Sequence, residues 1–171
     1  MATMILLPDA TSLITSGWAF VGEASAHECL DDDNDGTSYV RCSIDSDAMI
    51  IEYANPSVAE ADIASIESVR FLSSGKSAHR SDPSLISFTY NFTVGSETAS
   101  YDAHRTNFET INGTARTTSD GSNAWTYANL ETLEMRCDKF GTVELYLSYL
   151  ALEVTYTEAA ADNAVFFGTN F

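Results

Sequence analysis

The sequence predicts an all-β fold: an antiparallel β-sandwich, a jelly roll of about eight short strands with extended N- and C-terminal arms. Three observations predict it. Ile86, Phe88, Tyr90, Phe92 and Val94 alternate with Ser87, Thr89, Asn91 and Thr93, the period of two that marks a strand with one face toward a core. Thr142 to Tyr156 alternates too, but changes phase: Val143, Leu145, Leu147 and Tyr149 give way to Leu150, Leu152, Val154 and Tyr156. A one-residue slip turns side chains to the opposite face unless an extra residue is absorbed, so a bulge is expected between Ser148 and Leu150. Thirdly, Gly, Asn, Asp, Ser and Pro clusters separate short apolar runs, and no convincing amphipathic helix interrupts them. Leu, Ala and Glu in 142–156 would suit a helix, but alternation on both sides of the slip and the Val, Tyr and Thr content favour a strand.

Taken in order, residues 1–16 carry Met4, Ile5, Leu6, Leu7 and Pro8 before a Thr/Ser-rich run. They read as an extended arm, because Pro8 and the β-branched residues oppose a helix. The sandwich domain is expected over 17–157. Trp18, Phe20 and Val21 begin its first strand, and small residues occupy 24–30. The acidic turn DDDNDG at Asp31 to Gly36 precedes a strand from Tyr39 to Ile44. Met49 to Tyr53 is a short strand ended by Asn55-Pro56, and 57–63 is a connection. Ile66, Val69 and Phe71 lead a strand to about Ser74, closed by Gly75, with a loop from Ser77 to Pro83. After the run from Ile86, Gly95-Ser96 turns the chain and Thr98 to Tyr101 returns. Phe108 to Ile111 and Thr114 to Thr118 are strand candidates about Asn112-Gly113, a tight-turn signal. Trp125, Tyr127 and Leu130 precede a strand from Leu133 to Asp138, and Gly141 turns into 142–156. Residues 158–171 form a C-terminal arm ending in Val165, Phe166, Phe167 and Phe171.

Twenty-five acidic against eight basic residues give a formal charge of −17 in 171 residues. Such a surface repels phosphate backbones, and the few Arg are scattered, so nucleic acid is not an expected partner. No apolar run approaches the roughly 20 residues of a membrane span, and Met1 to Leu7 lacks the basic residue and apolar length of a signal peptide. Cys29, Cys42 and Cys137 form no CxxC pair; an odd count fits a reducing compartment, and Cys137, alternating with Leu133 and Met135, is expected in the core. The sequons at Asn91 and Asn112 carry little meaning without a secretion signal.

Enzymatic chemistry has little support. His27, His79 and His104 belong to no nucleophile motif, and no G-x-S-x-G, GxxxxGK, GxGxxG or HExxH occurs; no catalytic residue and no cofactor is assigned. Asp31, Asp33, Asp35 and Gly36 fit the start of a calcium loop, but its twelfth position is Cys42 where a bidentate Glu is needed. A polar turn is the plainer reading. Trp125, Tyr127 or Tyr101, if placed on a loop or concave face, could stack on sugar rings; Trp18 and Trp125 are otherwise expected to fill the core.

Two stretches carry a resemblance. Trp18 to Tyr53 contains SAHECLDD, DGTSYV and MIIEY, and residues 124–156 read AWTYANLETLEMRCDKFGTVELYLSYLALEVTY, with IASIESVRF between them. The arrangement resembles a jelly-roll module of tailed-phage virion proteins and is similar to galactose-binding-like and carbohydrate-binding-module sandwiches, though strongly acidic. The resemblance implies a non-enzymatic virion structural protein, a decoration or cement protein on the outer surface of a capsid shell, made in the host cytoplasm. Its partners would be the major capsid protein and further copies of itself, trimers being common among such proteins. Ile5, Leu6, Leu7, Phe166, Phe167 and Phe171 are the expected partner-binding residues, since ordering apolar arms costs chain entropy that bound contacts must recover. The alternative is a lectin-like module of a phage tail or adhesion protein.

Overall fold

The computed structural model describes residues 1–31, 37–78, 82–91, 96–101, 107–141 and 143–160. Its described strands are β1 (Ala2–Leu6), β2 (Pro8–Ile14), β3 (Trp18–Val21), β4 (Tyr39–Cys42), β5 (Ala48–Tyr53), β6 (Ile63–Ser77), β7 (Ser84–Tyr90), β8 (Glu97–Tyr101), β9 (Glu109–Asn112), β10 (Glu134–Phe140) and β11 (Leu145–Glu158). They form two antiparallel sheets, as predicted. One runs β3-β4-β11-β6-β9, with β1 also on β11; the other runs β2-β5-β10-β7-β8. The inner faces meet in a core that includes Phe71 and Phe88, ring centroids 4.4 Å apart, and all three cysteines.

The phase slip in β11 is a bulge at the expected place. Leu147 pairs with Gly75 and Tyr149 with the adjacent Ser74, so Ser148 is the extra residue. Leu145, Leu147, Leu150, Leu152 and Val154 consequently all face inward with no exposure. The bulge sits where the neighbour of β11 changes from β4, opposite Leu145 to Leu147, to β1, opposite Leu152 to Tyr156. Bulges bend and twist the strand that carries them, which lets one long strand serve two partners along a single edge. Deleting Ser148 would bring Leu147 and Tyr149 into regular pairing with Gly75 and Ser74 without turning either half over. The deletion variant is therefore expected to fold with a modestly lower melting temperature, by circular dichroism; a molten product would show the bulge to be required.

Residues 1–16 are extended but are not an arm. β1 pairs with β11 in one sheet, and Pro8 opens β2, which pairs with β5 in the other. Met4 and Leu6 point inward and Ile5 and Leu7 outward. The apolar run MILL hides this period because both faces carry large side chains. Pro8 suits its place as the first residue of an edge strand, where a missing N–H costs no ladder bond. Of the C-terminal arm, 158–160 continue from β11, Ala159 N–H donating to Asp62 O at 2.8 Å; residues 161–171 lie outside the described residues.

Other departures have local causes. Gly75 does not close its strand but lies within β6, because a Cβ there would come within 2.8 Å of Leu147 and the Tyr101 ring. Asn112-Gly113 makes no hairpin: β9 pairs Leu72 to Gly75 with Asn112 to Glu109, and the chain continues along β6 to pair Arg116 with Val69. Gly113 is there for close approach, since a Cβ would lie 2.5 Å from the Phe71 ring. Two five-residue helices were not expected, α1 (Ala26–Leu30) and α2 (Tyr127–Glu131). Ser25 caps α1, accepting from Glu28 N–H, and Thr126 forms a capping box with Asn129. The S-x-x-E spacing of Ser25 and Glu28 was a legible start signal; one turn is too short for periodicity to reveal.

Candidate functional site

The expected partner-binding residues divide. Leu6 is buried among core side chains, opposite Leu152, whereas Ile5 and Leu7 are 41% and 40% exposed. Leu13 and Ile14 of β2, in the other sheet, are exposed as well. Phe166, Phe167 and Phe171 lie outside the described residues. Of the calcium candidates Asp31 ends α1, and Asp33 and Asp35 lie outside; among the described residues no group of three His, Cys, Asp or Glu is arranged to hold a metal.

The aromatics first considered for sugar stacking are structural. Trp125 is buried, its indole N–H donating to Arg116 O at 2.8 Å and its ring edge-on to Tyr90 at 6.3 Å. Trp18 is buried as well. Tyr101 has no exposure, donates to Ser73 Oγ across the sandwich at 2.7 Å, and has its phenol pushed well up by burial. Tyr127 is half-buried and donates to Val58 O at 3.1 Å. Burial, before any other cause, raises all three thiols, so none is poised as a nucleophilic thiolate. His27 in α1 contacts Thr11 Oγ1 at 3.3 Å and Ser25 Oγ at 3.4 Å, but Ser25 donates its proton to Glu28 Oε2 at 2.7 Å. That arrangement is a helix cap bonded to β2; a base held by a threonine lacks the carboxylate that orients a catalytic imidazole.

A different aromatic group stands on the outer face of the first sheet. Val40 and Cys42, like Leu145 and Leu147, point inward, which sends Tyr39, Arg41 and Tyr146 outward. Register places Arg41, Tyr146 and Lys76 in one row across β4, β11 and β6. Tyr39 meets Tyr146 edge-to-face at 5.4 Å and Phe108, just before β9, at 6.2 Å. The Lys76 ammonium lies 4.5 Å from the Phe108 ring centre and 5.3 Å from that of Tyr146, within cation–π range. At the margin, Tyr146 donates to Glu144 Oε2 at 2.7 Å and Arg41 Nη1 lies 3.8 Å from Glu144 Oε1. The Tyr146 phenol is pushed up to about 12, first by its bond to Glu144 and then by burial, so it stays a neutral donor at physiological pH. All three rings are half-buried: held by neighbours, yet open at the surface. The sequence signal was an outward tyrosine between two inward leucines. That Tyr39 and Phe108 join it follows from strand order, which no local pattern states.

The chain matches no family model and no curated protein. Among solved structures it is similar to the CBM36-1 domain of a multidomain xylanase from the hindgut metagenome of Trinervitermes trinervoides, at 9% identity and a TM-score of 0.46 over 94% of this chain and 99% of that one. It is similar to the CBM22-1 xylan-binding domain from Paenibacillus barcinonensis, at 10% identity and a TM-score of 0.46 over 92% of this chain and 95% of the other. A third likeness, at 7% identity and a TM-score of 0.42 over 88% and 86% of the two chains, is to TmCBM61 in complex with β-1,4-galactotriose. At such identities and scores, what those domains bind stays a property of those domains.

Proposed function

We propose that this chain is a non-catalytic carbohydrate-binding module that takes its ligand on the outer face of the first sheet. The observation that carries the reading is the cluster of Tyr39 on β4, Tyr146 on β11 and Phe108 just before β9, three half-buried rings beside Arg41, Lys76 and Glu144. Sugars present apolar C–H faces and a rim of hydroxyls. Aromatic rings match the faces, and charged donors and acceptors match the rim more strongly than neutral ones do. Rings held on strands lose little freedom on binding, and nothing in this row supplies an activated nucleophile or a paired acid and base.

Native gels containing soluble xylan, galactan or β-glucan test the reading. The protein should be retarded by at least one polysaccharide, and Tyr146→Ala should weaken retardation about tenfold or more while its melting temperature stays close to the parent's. Absence of retardation across neutral polysaccharides, or unchanged retardation of the variant, would sink the proposal.

A second reading, attachment to a virion shell as a decoration protein, draws support from a different observation. Ile5 on β1, Leu7 at the junction of the two strands, and Leu13 and Ile14 on β2 are all exposed, and β2 is an edge strand; exposed apolar side chains near an unpaired edge suit protein contacts. Co-sedimentation with assembled shells that Ile5→Ser plus Leu7→Ser abolishes, without polysaccharide retardation, would favour it over the first.

A further inference from the structure

A cleft of about 380 Å³ opens between the edge strand β8 and the segment following β9, lined by Ser96, Glu97, Thr114, Arg116, Thr117 and Thr118 among others. This volume falls within the ~300–1,000 Å³ of small-molecule sites. The walls are hydroxyls and one pair of opposite charges. Glu97 Oε1 accepts from the Thr114 backbone N–H at 2.8 Å and from its hydroxyl at 2.9 Å. The other oxygen, Oε2, lies 3.9 Å from Arg116 Nη2, near enough for Coulomb attraction but too far for a hydrogen bond. Among the described residues neither Glu97 Oε2 nor Arg116 Nε has a hydrogen-bond partner, though both atoms are buried. Buried polar atoms left without partners are costly, and the two side chains, 23% and 27% exposed as wholes, open onto the cleft that could supply them.

The frame around this pair is stiff. Arg116 exchanges backbone hydrogen bonds with Val69 in both directions, at 3.0 and 2.9 Å, and its carbonyl accepts from the Trp125 indole. The guanidinium lies over the Tyr90 ring at 5.8 Å. The next loop is pinned by Asp120, whose carboxylate accepts from Ser122 N–H, Asn123 N–H and the Asn123 amide at 2.9, 2.7 and 2.6 Å. These bonds, led by that from Asn123 N–H, hold the Asp120 carboxyl below its usual range.

We propose that this cleft binds a single neutral sugar unit, such as the end of a glycan chain, through Glu97 and Arg116. A pair of adjacent hydroxyls has the right complement. One donates to the carboxylate and the other accepts from the guanidinium, which swings aside to admit them; each sugar hydroxyl can also reach the threonine rim. An anion would face Glu97 and a chain of formal charge −17, a cation would face Arg116, and an apolar group would leave both unpaired. The proposal is independent of the sheet-face site, which lies on different strands.

Two-dimensional amide NMR of the full chain, titrated separately with D-galactose, D-glucose and D-xylose, tests it. At least one sugar should move the amides of Glu97, Thr114 and Arg116 saturably. Arg116→Ala should weaken that response about tenfold or more. Because this variant also loses its stacking on Tyr90, Ala115→Trp provides a second probe: Ala115 is exposed and lines the cleft, so the indole should block the sugar while the spectrum elsewhere stays native. Tyr146→Ala should leave the cleft response intact. Three results would overturn the proposal: no sugar moving these amides, Ala115→Trp responding like the parent, or glycine, as a zwitterion, moving them where no sugar does. Loss of polysaccharide retardation in Tyr146→Ala with the cleft response retained, or the reverse in Ala115→Trp, tells failure at one site from failure at the other.

Discussion

Replacing Trp125 by alanine is expected to cost about 3–5 kcal/mol and to lower the melting temperature by on the order of 10 °C. The side chain is 4% exposed, packs edge-on to Tyr90, and donates its only hydrogen bond to Arg116 O. The substitution therefore opens a cavity and leaves that carbonyl with the Val69 N–H as its remaining donor among the described residues, in the segment that also holds Arg116 against Val69. Thermal unfolding by calorimetry checks the size of the effect. Phenylalanine at the same position should recover part of the packing but not the hydrogen bond, giving an intermediate melting temperature. A Trp125→Ala protein as stable as the parent, but deficient in sugar binding, would reverse this assignment and restore Trp125 as a surface platform.

Aspartate in place of Leu152 is expected to prevent folding at ambient temperature. Leu152 has no exposure, on a strand flanked by β6 and β1. An unpaired buried carboxylate costs several kcal/mol beyond the lost apolar burial, against a total stability of about 5–15 kcal/mol for a domain. Thr155→Asp, three residues on and on the opposite face, should be tolerated, with a melting temperature within a few degrees of the parent. The contrast reads the strand's phase directly. If the bulge at Ser148 did not shift the alternation, aspartate at 155 would be the damaging change and at 152 the mild one. Far-ultraviolet circular dichroism of the two proteins side by side distinguishes these outcomes.

The two experiments probe different kinds of information. That β11 faces inward at Leu152 was legible from the chain alone, because a strand's alternation is a local property and a phase slip leaves a visible mark in it. The same holds for the inward set of β7, for β5, and for Cys137 among core residues. Trp125 could be expected in the core but not shown there, since a large aromatic beside turn residues suits a core plug and a surface platform equally. Its burial depends on α2 and on the path from Gly113 to Arg116, neither of which periodicity reports. The Asn112-Gly113 pair misled for a related reason: the turn preference of that dipeptide is weaker than the requirement that the backbone pass within contact distance of Phe71.

By itself, then, the sequence determined the sandwich, the orientation of its longer strands, the place of the bulge and the acidic surface. All follow from residue spacing and composition, which act over a few positions. Only the tertiary structure decided that the N-terminal residues are strands of both sheets, that Tyr39, Phe108 and Tyr146 form one surface, and that Glu97 faces Arg116 across a cleft. Each of these joins residues 19 to more than 140 positions apart. Which sheet edges remain free, and which outward side chains become neighbours, is set by strand order, and strand order is fixed by the packing of the whole core.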